Sequence, residues 1–383
     1  MKTKIAVVGL GAMGKGIVQV VQRSTDMKIV AAADIDRQAV EKTKPLLPKD
    51  ALATTHPADV LKKKPDVLVE ASPSITAAAL LIRRALSQGI HVVLMNGEVD
   101  QVFGRLLAED AQDNKVILTS DAGDQHGVLM RKMEEVKSMG FEIVMAGNNK
   151  GFLNKYANPE TLVNEAAKRH LSPSQCTAYT DGTKLSIEMA LTSNATGFDI
   201  LQTGMVGPRT EYVDEALKVF DLDQARKLGG VVDYVLGAKP GASVFVIAYS
   251  DDPDDRFYME YYKMGKGPYY LFLRPYHLCH FETPYAIQRI MKSKEPILVQ
   301  KKRCLEVGAR AKTDLQKGTV LDGIGGYNLY GVLEKPANLP IGLSKGTTLK
   351  RNKKKDEPIE WDDVAFPEND PRLAMWEEQA KYE

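Results

Sequence analysis

The chain has 383 residues, of which 44% are hydrophobic and 26% charged, and its formal net charge is +1. This composition is typical of a globular protein with two or three domains, and the balanced charge offers no long-range attraction to nucleic acid or an anionic membrane. Three cysteines far apart, no recognisable leader and no apolar run near the roughly 20 residues of a membrane span predict a cytoplasmic protein with a small-molecule ligand.

A glycine-rich turn follows the first apolar segment. The sequence predicts a strand from Ile5, then the turn Gly9-x-Gly11-x-x-Gly14, then a helix, with Asp34 at the end of the next strand. Such glycines let the backbone approach a pyrophosphate, whose charge the helix N-terminus stabilises, while the acid binds the adenosine ribose. We therefore predict a dinucleotide site formed by Gly9, Gly11, Ala12, Met13, Gly14 and Asp34.

The cofactor is expected to be NAD or NADP, because Asp34 repels a 2′-phosphate whereas Arg37 would accept one. Ser72, after the third apolar strand, is expected near the nicotinamide ribose or else at a helix start, and Asn96 near the nicotinamide. We interpret Asp100 as a helix cap. Alternating strands and helices predict an α/β fold, with a Rossmann doubly wound parallel sheet over residues 1–120.

Residues 121–300 do not repeat this pattern, and we predict an inserted α+β catalytic and dimerisation domain there. The loop around Asp124, Gln125 and His126 combines acids, an amide and an imidazole with two glycines, which favours a contact loop. The loop around Lys150 follows another apolar strand. Lys150 is predicted either to bind a phosphate or carboxylate or to be an exposed loop lysine.

The stretch Ala178–Ala190 places a lysine in the first turn of a predicted helix. With Asp181 as the expected N-cap, Lys184 lies near the positive pole of the backbone dipoles, which disfavours an ammonium group. Apolar residues on several faces predict burial of this helix, and Glu188 shares a face with Lys184. The three charges form either a structural ion-pair network or an acid–base centre.

Arg274, His277 and His280 are concentrated in one later stretch. The His-x-x-His spacing suits a metal on a helix, but without an evident third ligand we favour structural histidines. From residue 301 to 383, short strands with Gly and Pro predict a small β-clip domain and a tail, built from hairpin-like units at 311–321 and 349–359. The basic run at 350–355 is interleaved with acids and is interpreted as a solvated turn.

As a set, these motifs resemble the homoserine dehydrogenase-like oxidoreductases that carry a C-terminal SAF domain. The resemblance covers nearly the whole chain. It rests on the glycine turn, the β-clip and five further stretches, which are Asn96–Asp100, Asp121–Gly127, Gly147–Lys150, Thr180–Lys184 and Arg274–His280. The group includes an enzyme similar to deoxyxylulose-phosphate reductoisomerase, abbreviated DRL, which reduces and rearranges a ketose phosphate with NADPH.

The resemblance implies an NAD(P)H-dependent reductase or reductoisomerase acting on a small ketose phosphate, polyol or sugar acid, with 1-deoxy-D-xylulose 5-phosphate as one example. Lys184 would be the proton donor or acceptor, positioned by Asp181 and Glu188, and Lys150 and Arg274 would bind an anionic end of the substrate. Further substrate contacts are expected from Asp124, Gln125, Asn148, Asn149 and His277. A homodimer or homotetramer is expected.

The use of a divalent metal, the substrate and the alternative of a non-catalytic sensor stay open. Mg²⁺ or Mn²⁺ on Glu188 and Asp124 would serve a rearrangement, but no metal spacing in the sequence requires it. Homoserine dehydrogenases have Asn-Lys where this chain has Asn96-Gly97, and the related loop has a proline where this chain has His126. The alternatives are therefore a homoserine or related semialdehyde dehydrogenase and a non-catalytic NAD(P)-binding sensor.

Overall fold

A computed structural model describes residues 2–382, which form two compact units. The first unit contains residues 2–127, 278–301 and 369–382, and the second contains residues 128–277 and 302–368. The chain therefore passes from one unit to the other four times. No helix in residues 2–382 is long and apolar enough to cross a membrane.

Six parallel strands build the sheet of the first unit, in the order β3-β2-β1-β4-β5-β6. Its strands are β1 (Thr3–Val8), β2 (Met27–Ala33), β3 (Leu52–Thr54), β4 (Val67–Glu70), β5 (His91–Leu94) and β6 (Leu118–Ser120). The helices of this stretch of chain are α1 (Ala12–Gln22), α2 (Arg37–Thr43), α3 (Thr76–Ser87), α4 (Gly97–Asp113) and α5 (Gln125–Ser138). The predicted doubly wound parallel sheet is confirmed. Its strand order reverses between β1 and β4, where such sheets bind ligands.

A mixed sheet of order β10-β9-β7-β8 lies in the second unit, where β7 runs parallel to β8 and antiparallel to β9. Its strands are β7 (Glu142–Lys150), β8 (Val231–Leu236), β9 (Val244–Tyr249) and β10 (Tyr269–Arg274). The accompanying helices are α6 (Val163–Lys168), α7 (Pro173–Thr180), α8 (Thr183–Thr196), α9 (Ala216–Val219), α10 (Leu222–Lys227) and α11 (Pro253–Tyr261). One sheet face packs on an apolar cluster that includes residues of α9 and α10.

Short antiparallel pairs characterise the rest of the chain, in which β11 pairs with β12 and β13 with β14. Its elements are α12 (Thr283–Gln288), β11 (Glu306–Ala311), β12 (Leu329–Glu334), α13 (Ile341–Ser344), β13 (Thr348–Leu349), β14 (Val364–Ala365) and α14 (Pro371–Gln379). The two segments predicted as hairpin-like units, 311–321 and 349–359, pair with each other. Leu315 and Lys353 exchange both backbone hydrogen bonds at 2.8 Å. The sequence shows that each segment is extended, but not which partner satisfies its backbone. The SAF assignment stays a prediction.

Helix α14 returns to the first unit and packs on α4. The side-chain amide of Gln379 accepts the backbone N–H of Leu106 at 3.0 Å and donates to the carbonyl of Val102 at 3.0 Å. Leu106 and Val102 are four residues apart. The glutamine side chain therefore links the N–H of one residue to the carbonyl of the other across a single α-helical turn. Arg83 joins the same contact by binding Asp110 of α4 and Glu378 of α14, each at 2.7 Å.

Candidate cofactor and substrate sites

The three glycines after β1 have three different surroundings. Gly9 has a φ of +87°, and a Cβ there would lie 2.4 Å from the backbone nitrogen of Ser72. A Cβ on Gly14 would lie 1.7 Å from the carbonyl oxygen of Gly9, so only glycine lets α1 start this close to the turn. Gly11, the N-cap of α1, has no atom within 4 Å of its Cβ position and makes no side-chain cap. This open, uncapped helix N-terminus fits a dinucleotide pyrophosphate.

Asp34 fixes the glycine turn to the end of β2. Its carboxylate accepts the backbone N–H of Leu10 at 2.6 Å and that of Asp36 at 2.9 Å. Arg37 is exposed and begins α2, which is capped by Asp36. Both residues that decide between NAD and NADP therefore lie directly after β2.

Glu70, at the end of β4, is a buried acid that the sequence interpretation did not assign. One of its oxygens accepts the backbone N–H of Ser72 at 3.0 Å, and burial raises the pKa of its carboxyl to about 7. Asn96 is also buried, accepting the N–H of Val99 at 3.1 Å and donating to the carbonyl of Ser74 at 2.7 Å. Glu70 and Asn96 thus shape the loops at the strand ends. An acid that ends an otherwise apolar strand was the available signal for Glu70.

Asp100 is not a helix cap, and that interpretation is wrong. Asn96 occupies the N-cap of α4, and Asp100 lies one turn further, buried, where it accepts from the Ser120 hydroxyl and the Gln300 amide. Burial raises its pKa to about 6.

Asp121, which follows β6, is a second buried acid. Its carboxylate accepts the backbone N–H of Gly123 at 2.7 Å, and burial raises the pKa of its carboxyl to about 7.

The predicted contact loop at 121–127 is largely buried. Asp124, Gln125 and His126 are each at most 6% exposed. The carbonyl of Gly123 accepts the backbone N–H of Cys279 at 2.9 Å, and a Cβ at Gly123 would lie only 2.0 Å from the Cys279 carbonyl. The loop is therefore fixed against the segment after residue 278.

His280 packs on the helix that begins at the glycine turn. A Cβ on Gly16 of α1 would lie 2.5 Å from the imidazole ring, so the ring fills the space that glycine leaves. Burial lowers the pKa of His280 below its usual value, and the charge of Arg23 lowers it further. This packing agrees with a structural histidine.

In the second unit, the end of β7 directs alternate side chains to opposite faces of the sheet. Asn148 and Lys150 both donate to the Oε2 atom of Glu188 on α8, at 3.1 and 3.2 Å. Asn149, between them, donates instead to the carbonyls of Ala238 and Pro240 at 2.8 and 2.7 Å. Asn148 and Lys150 thus belong to one polar cluster with Glu188, whereas Asn149 holds the connection between β8 and β9.

Arg274 lies on the same sheet face as Asn148. The strand register aligns Asn148 with Val244 of β9, and Val244 with Arg274 of β10, so the three side chains share a face. Two strand spacings put the backbones of Asn148 and Arg274 about 10 Å apart. The guanidinium of Arg274 lies 4.9 Å from the ring centre of Tyr276, and His277 follows, half-buried.

Lys184 lies in the first turn of α8, a helix in which 13 of 14 residues are buried, and is itself 5% exposed. The prediction of Asp181 as N-cap is wrong: Gly182, with φ +89°, is the N-cap, and Asp181 ends α7. A left-handed glycine between two helices allows the sharp turn. Asp181 still accepts the N–H of Thr183 at 2.9 Å.

The ion-pair partner of Asp181 is Lys312, which follows β11. The two charged groups are 2.8 Å apart, and both side chains are almost fully buried. The Lys312 ammonium also donates to the carbonyls of Ala157 and Gly326 at 2.7 and 2.9 Å. No sequence signal pointed to Lys312, because a single lysine in a polar stretch does not reveal a distant partner.

Comparisons with known proteins match two parts of the chain to two different family models. Residues 9–119 match the family model "Homoserine dehydrogenase, NAD binding domain", and residues 123–283 match "Oxidoreductase DRL, catalytic domain". The homoserine dehydrogenase of Bacillus subtilis is 25% identical over 209 residues, which are 49% of this chain and 47% of the relative. That of Synechocystis sp. is 27% identical over 133 residues, or 33% of this chain and 31% of the relative.

The chain thus spans less than half the length of these two curated relatives. Among solved structures, a hyperthermophilic archaeal homoserine dehydrogenase in complex with NADPH is 15% identical, with a TM-score of 0.47, over 77% of this chain and 99% of that chain. The two family matches are adjacent and do not overlap. The chain thus joins a segment similar to the NAD-binding domain of homoserine dehydrogenases to a segment similar to the DRL oxidoreductase catalytic domain.

Proposed function

We propose that this protein is an NAD(P)H-dependent reductase or reductoisomerase whose substrate is a small ketose phosphate, polyol or sugar acid. The DRL-type catalytic match and the polar cluster of Asn148, Lys150 and Glu188, in which Lys150 is partly exposed, support this proposal. The cluster carries it, because the carboxylate of Glu188 is buried at a desolvation cost while Lys150 beside it stays 14% exposed, so its ammonium group can reach a ligand. Glu188 lies on α8, the helix that also carries Lys184.

Each polar residue has a distinct role in the proposed reaction. When bound, the nicotinamide cofactor supplies the hydride for a substrate carbonyl. Lys184 donates the proton to the oxygen of that carbonyl and takes it back in the reverse direction. Glu188 holds the ammonium group of Lys150, while Lys150 and Arg274 attract the anionic end of the substrate.

The cofactor's place is the open helix N-terminus at Gly11, with Asp34 beside the turn. Ser72 and the loop shaped by Asn96 complete the proposed cofactor site. For the substrate, Asp124, Gln125 and His277 are proposed as further contacts, and Mg²⁺ or Mn²⁺ as an addition that only a rearrangement would require.

The test is turnover by the purified protein, with NADPH or NADH for substrates that carry a carbonyl group and with NADP⁺ or NAD⁺ for polyols, which can only be oxidised. 1-Deoxy-D-xylulose 5-phosphate is the first substrate, followed by a panel of polyols, sugar acids and sugar phosphates. Lys184→Ala should abolish turnover while cofactor affinity, measured by calorimetry, is unchanged. Lys168→Ala, which removes an exposed lysine of α6, is the matched control. Turnover retained by Lys184→Ala would refute its proton-transfer role, and no turnover with any substrate would favour a non-catalytic sensor.

Homoserine dehydrogenase activity is the second candidate, because the NAD-binding match and both curated relatives are of that type. Gly97 stands where homoserine dehydrogenases have a lysine, which argues against it. Aspartate semialdehyde in the same assay separates the two: faster turnover of the semialdehyde than of every sugar derivative would replace the first proposal.

A further inference from the structure

Arg209 lies on a segment that extends the mixed sheet of the second unit beyond β8. Residues 209–212 run parallel to β8, and Arg209 forms a bridge with Leu236 there. Leu236 in turn pairs with Lys150 of β7. Paired residues on adjacent strands present their side chains on the same face of a sheet. Arg209 and Lys150 therefore share a face, with their backbones two strand spacings, or about 10 Å, apart.

The guanidinium group of Arg209 lies at the carboxyl end of β8. Its Nη1 atom is 3.1 Å from the position that a Cβ on Gly237 would occupy. Gly237 directly follows β8 and donates its N–H to the carbonyl of Lys150 at 2.7 Å. The arginine side chain thus approaches the end of β7, where Lys150 is located. Parallel strands of α/β sheets bind their ligands at this end.

The positive charge of Arg209 has no ion-pair partner in the part of the chain that the structure describes. Glu211, the nearest acid along the segment, is exposed and forms no ion pair with it. Lys239, the other cation at this edge of the sheet, is exposed as well. Lys150, by contrast, binds Glu188 at 3.2 Å. This end of the sheet therefore has positive charge left for an anionic ligand.

The turn that precedes Arg209 is firmly held. The buried carboxylate of Asp233 accepts the backbone N–H groups of Val206 and Gly207, each at 2.9 Å. Gly207 has a φ of +55°, and a Cβ there would lie 2.1 Å from the ring of Tyr234, so only glycine fits. A fixed turn two residues before an arginine pre-organises its side chain for binding, which a solvated surface arginine does not need.

We propose that Arg209 and Lys150 together bind a phosphate group of the substrate, so that phosphorylated sugars are preferred to polyols and sugar acids. This inference rests on the proposed function and narrows its substrate class. A phosphate monoester offers three terminal oxygens and up to two negative charges, so it can accept an arginine fork and an ammonium donor at once. A carboxylate offers only two oxygens, which the arginine fork alone occupies, and a polyol offers no charge.

The first test measures binding of inorganic phosphate by calorimetry, with saturating NADP⁺ or NAD⁺ so that the pyrophosphate site is occupied. Arg209→Met should weaken phosphate binding about tenfold or more, and Arg209→Lys, which keeps the charge but not the fork, should have an intermediate effect. Arg256→Met, at an exposed arginine of α11, is the matched control and should leave binding unchanged. Far-UV circular dichroism verifies folding. Phosphate binding that is undetectable in the wild-type protein, or unchanged in Arg209→Met, would overturn the proposal.

Steady-state kinetics separate this proposal from the proposed function. With 1-deoxy-D-xylulose 5-phosphate and other sugar phosphates, Arg209→Met should raise KM about tenfold or more with a smaller change in kcat, whereas KM for unphosphorylated substrates should not change. Equal changes in KM for both kinds of substrate would reject the phosphate site and leave the oxidoreductase function intact. Phosphate binding that depends on Arg209, without turnover of any substrate, would uphold the site and reject the enzymatic function.

Discussion

The buried pair of Asp181 and Lys312 provides a quantitative test of how the second unit holds the start of α8. Asp181→Asn keeps a side-chain oxygen for the N–H of Thr183 but removes the counter-charge of Lys312. Three oxygens lie 2.7–2.9 Å from that ammonium nitrogen, one of Asp181 as an ion pair and two backbone carbonyls as hydrogen-bond acceptors. Breaking such a buried pair from one side costs about 3–5 kcal/mol of unfolding free energy.

The opposite variant, Lys312→Met, should behave differently because an aspartate can neutralise itself. Burial raises the pKa of Asp181 above its usual value even with the lysine present. Without the lysine the folded pKa rises further, so the folded state binds a proton more tightly than the unfolded state. Stability then falls as pH rises, and the cost of Lys312→Met should be larger at pH 8 than at pH 5.

Urea unfolding followed by far-UV circular dichroism measures both effects. The double variant Asp181→Asn with Lys312→Met removes both charges and should lose at least about 2 kcal/mol less than the sum of the single variants. Additive losses, or a Lys312→Met cost that does not change with pH, would refute the assignment of this pair as a coupled buried interaction.

Three further predictions concern the two candidate sites. Gly11→Ala should leave the melting temperature unchanged and weaken cofactor binding at least about tenfold in calorimetry. Gly14→Ala should weaken binding too, and it should also destabilise the fold by about 1–3 kcal/mol because its Cβ would overlap the Gly9 carbonyl. Equal effects of both variants would contradict the roles given to these glycines. Glu70 has a folded pKa of about 7 against an ordinary 4.5, so wild-type stability falls between those pH values as the unfolded state ionises first. Relative to wild type, Glu70→Gln should therefore gain about 2 kcal/mol between pH 5 and pH 8 in urea titrations, and a flat difference would disprove the burial effect. Lys150→Met should raise KM for an anionic substrate about 10- to 100-fold with a smaller change in kcat, and an unchanged KM would remove Lys150 from substrate binding.

The doubly wound parallel sheet of the first unit could be predicted because each buried strand is an apolar run and each strand end carries its own polar motif. The three glycines and Asp34 could be assigned for the same reason, since local spacing alone defines a strand, turn and helix. Asn96 and Asp100 were harder. Both follow β5 within six residues, and only the observed start of α4 shows that Asn96 takes the cap position.

Contacts between distant segments could not be predicted. Adjacent asparagines look equivalent in the sequence, yet the alternation of β7 directs Asn148 to Glu188 and Asn149 to the β8–β9 connection. Lys312 is separated from Asp181 by several elements, and no local pattern links the two. Pairing of the segments near Leu315 and Lys353 is likewise a long-range choice of backbone partners.

The glutamine that bridges one turn of α4 has a consequence for synthesis of the protein. Gln379 belongs to the first unit, whose other main segment ends at Gly127. At about 5–20 residues per second, a ribosome needs roughly 10–50 seconds to translate the intervening chain. During that time the amide of Leu106 and the carbonyl of Val102 lack their native bridge. The nucleotide-binding unit should therefore emerge early in an incomplete form and reach its final structure only after α14 has left the ribosome.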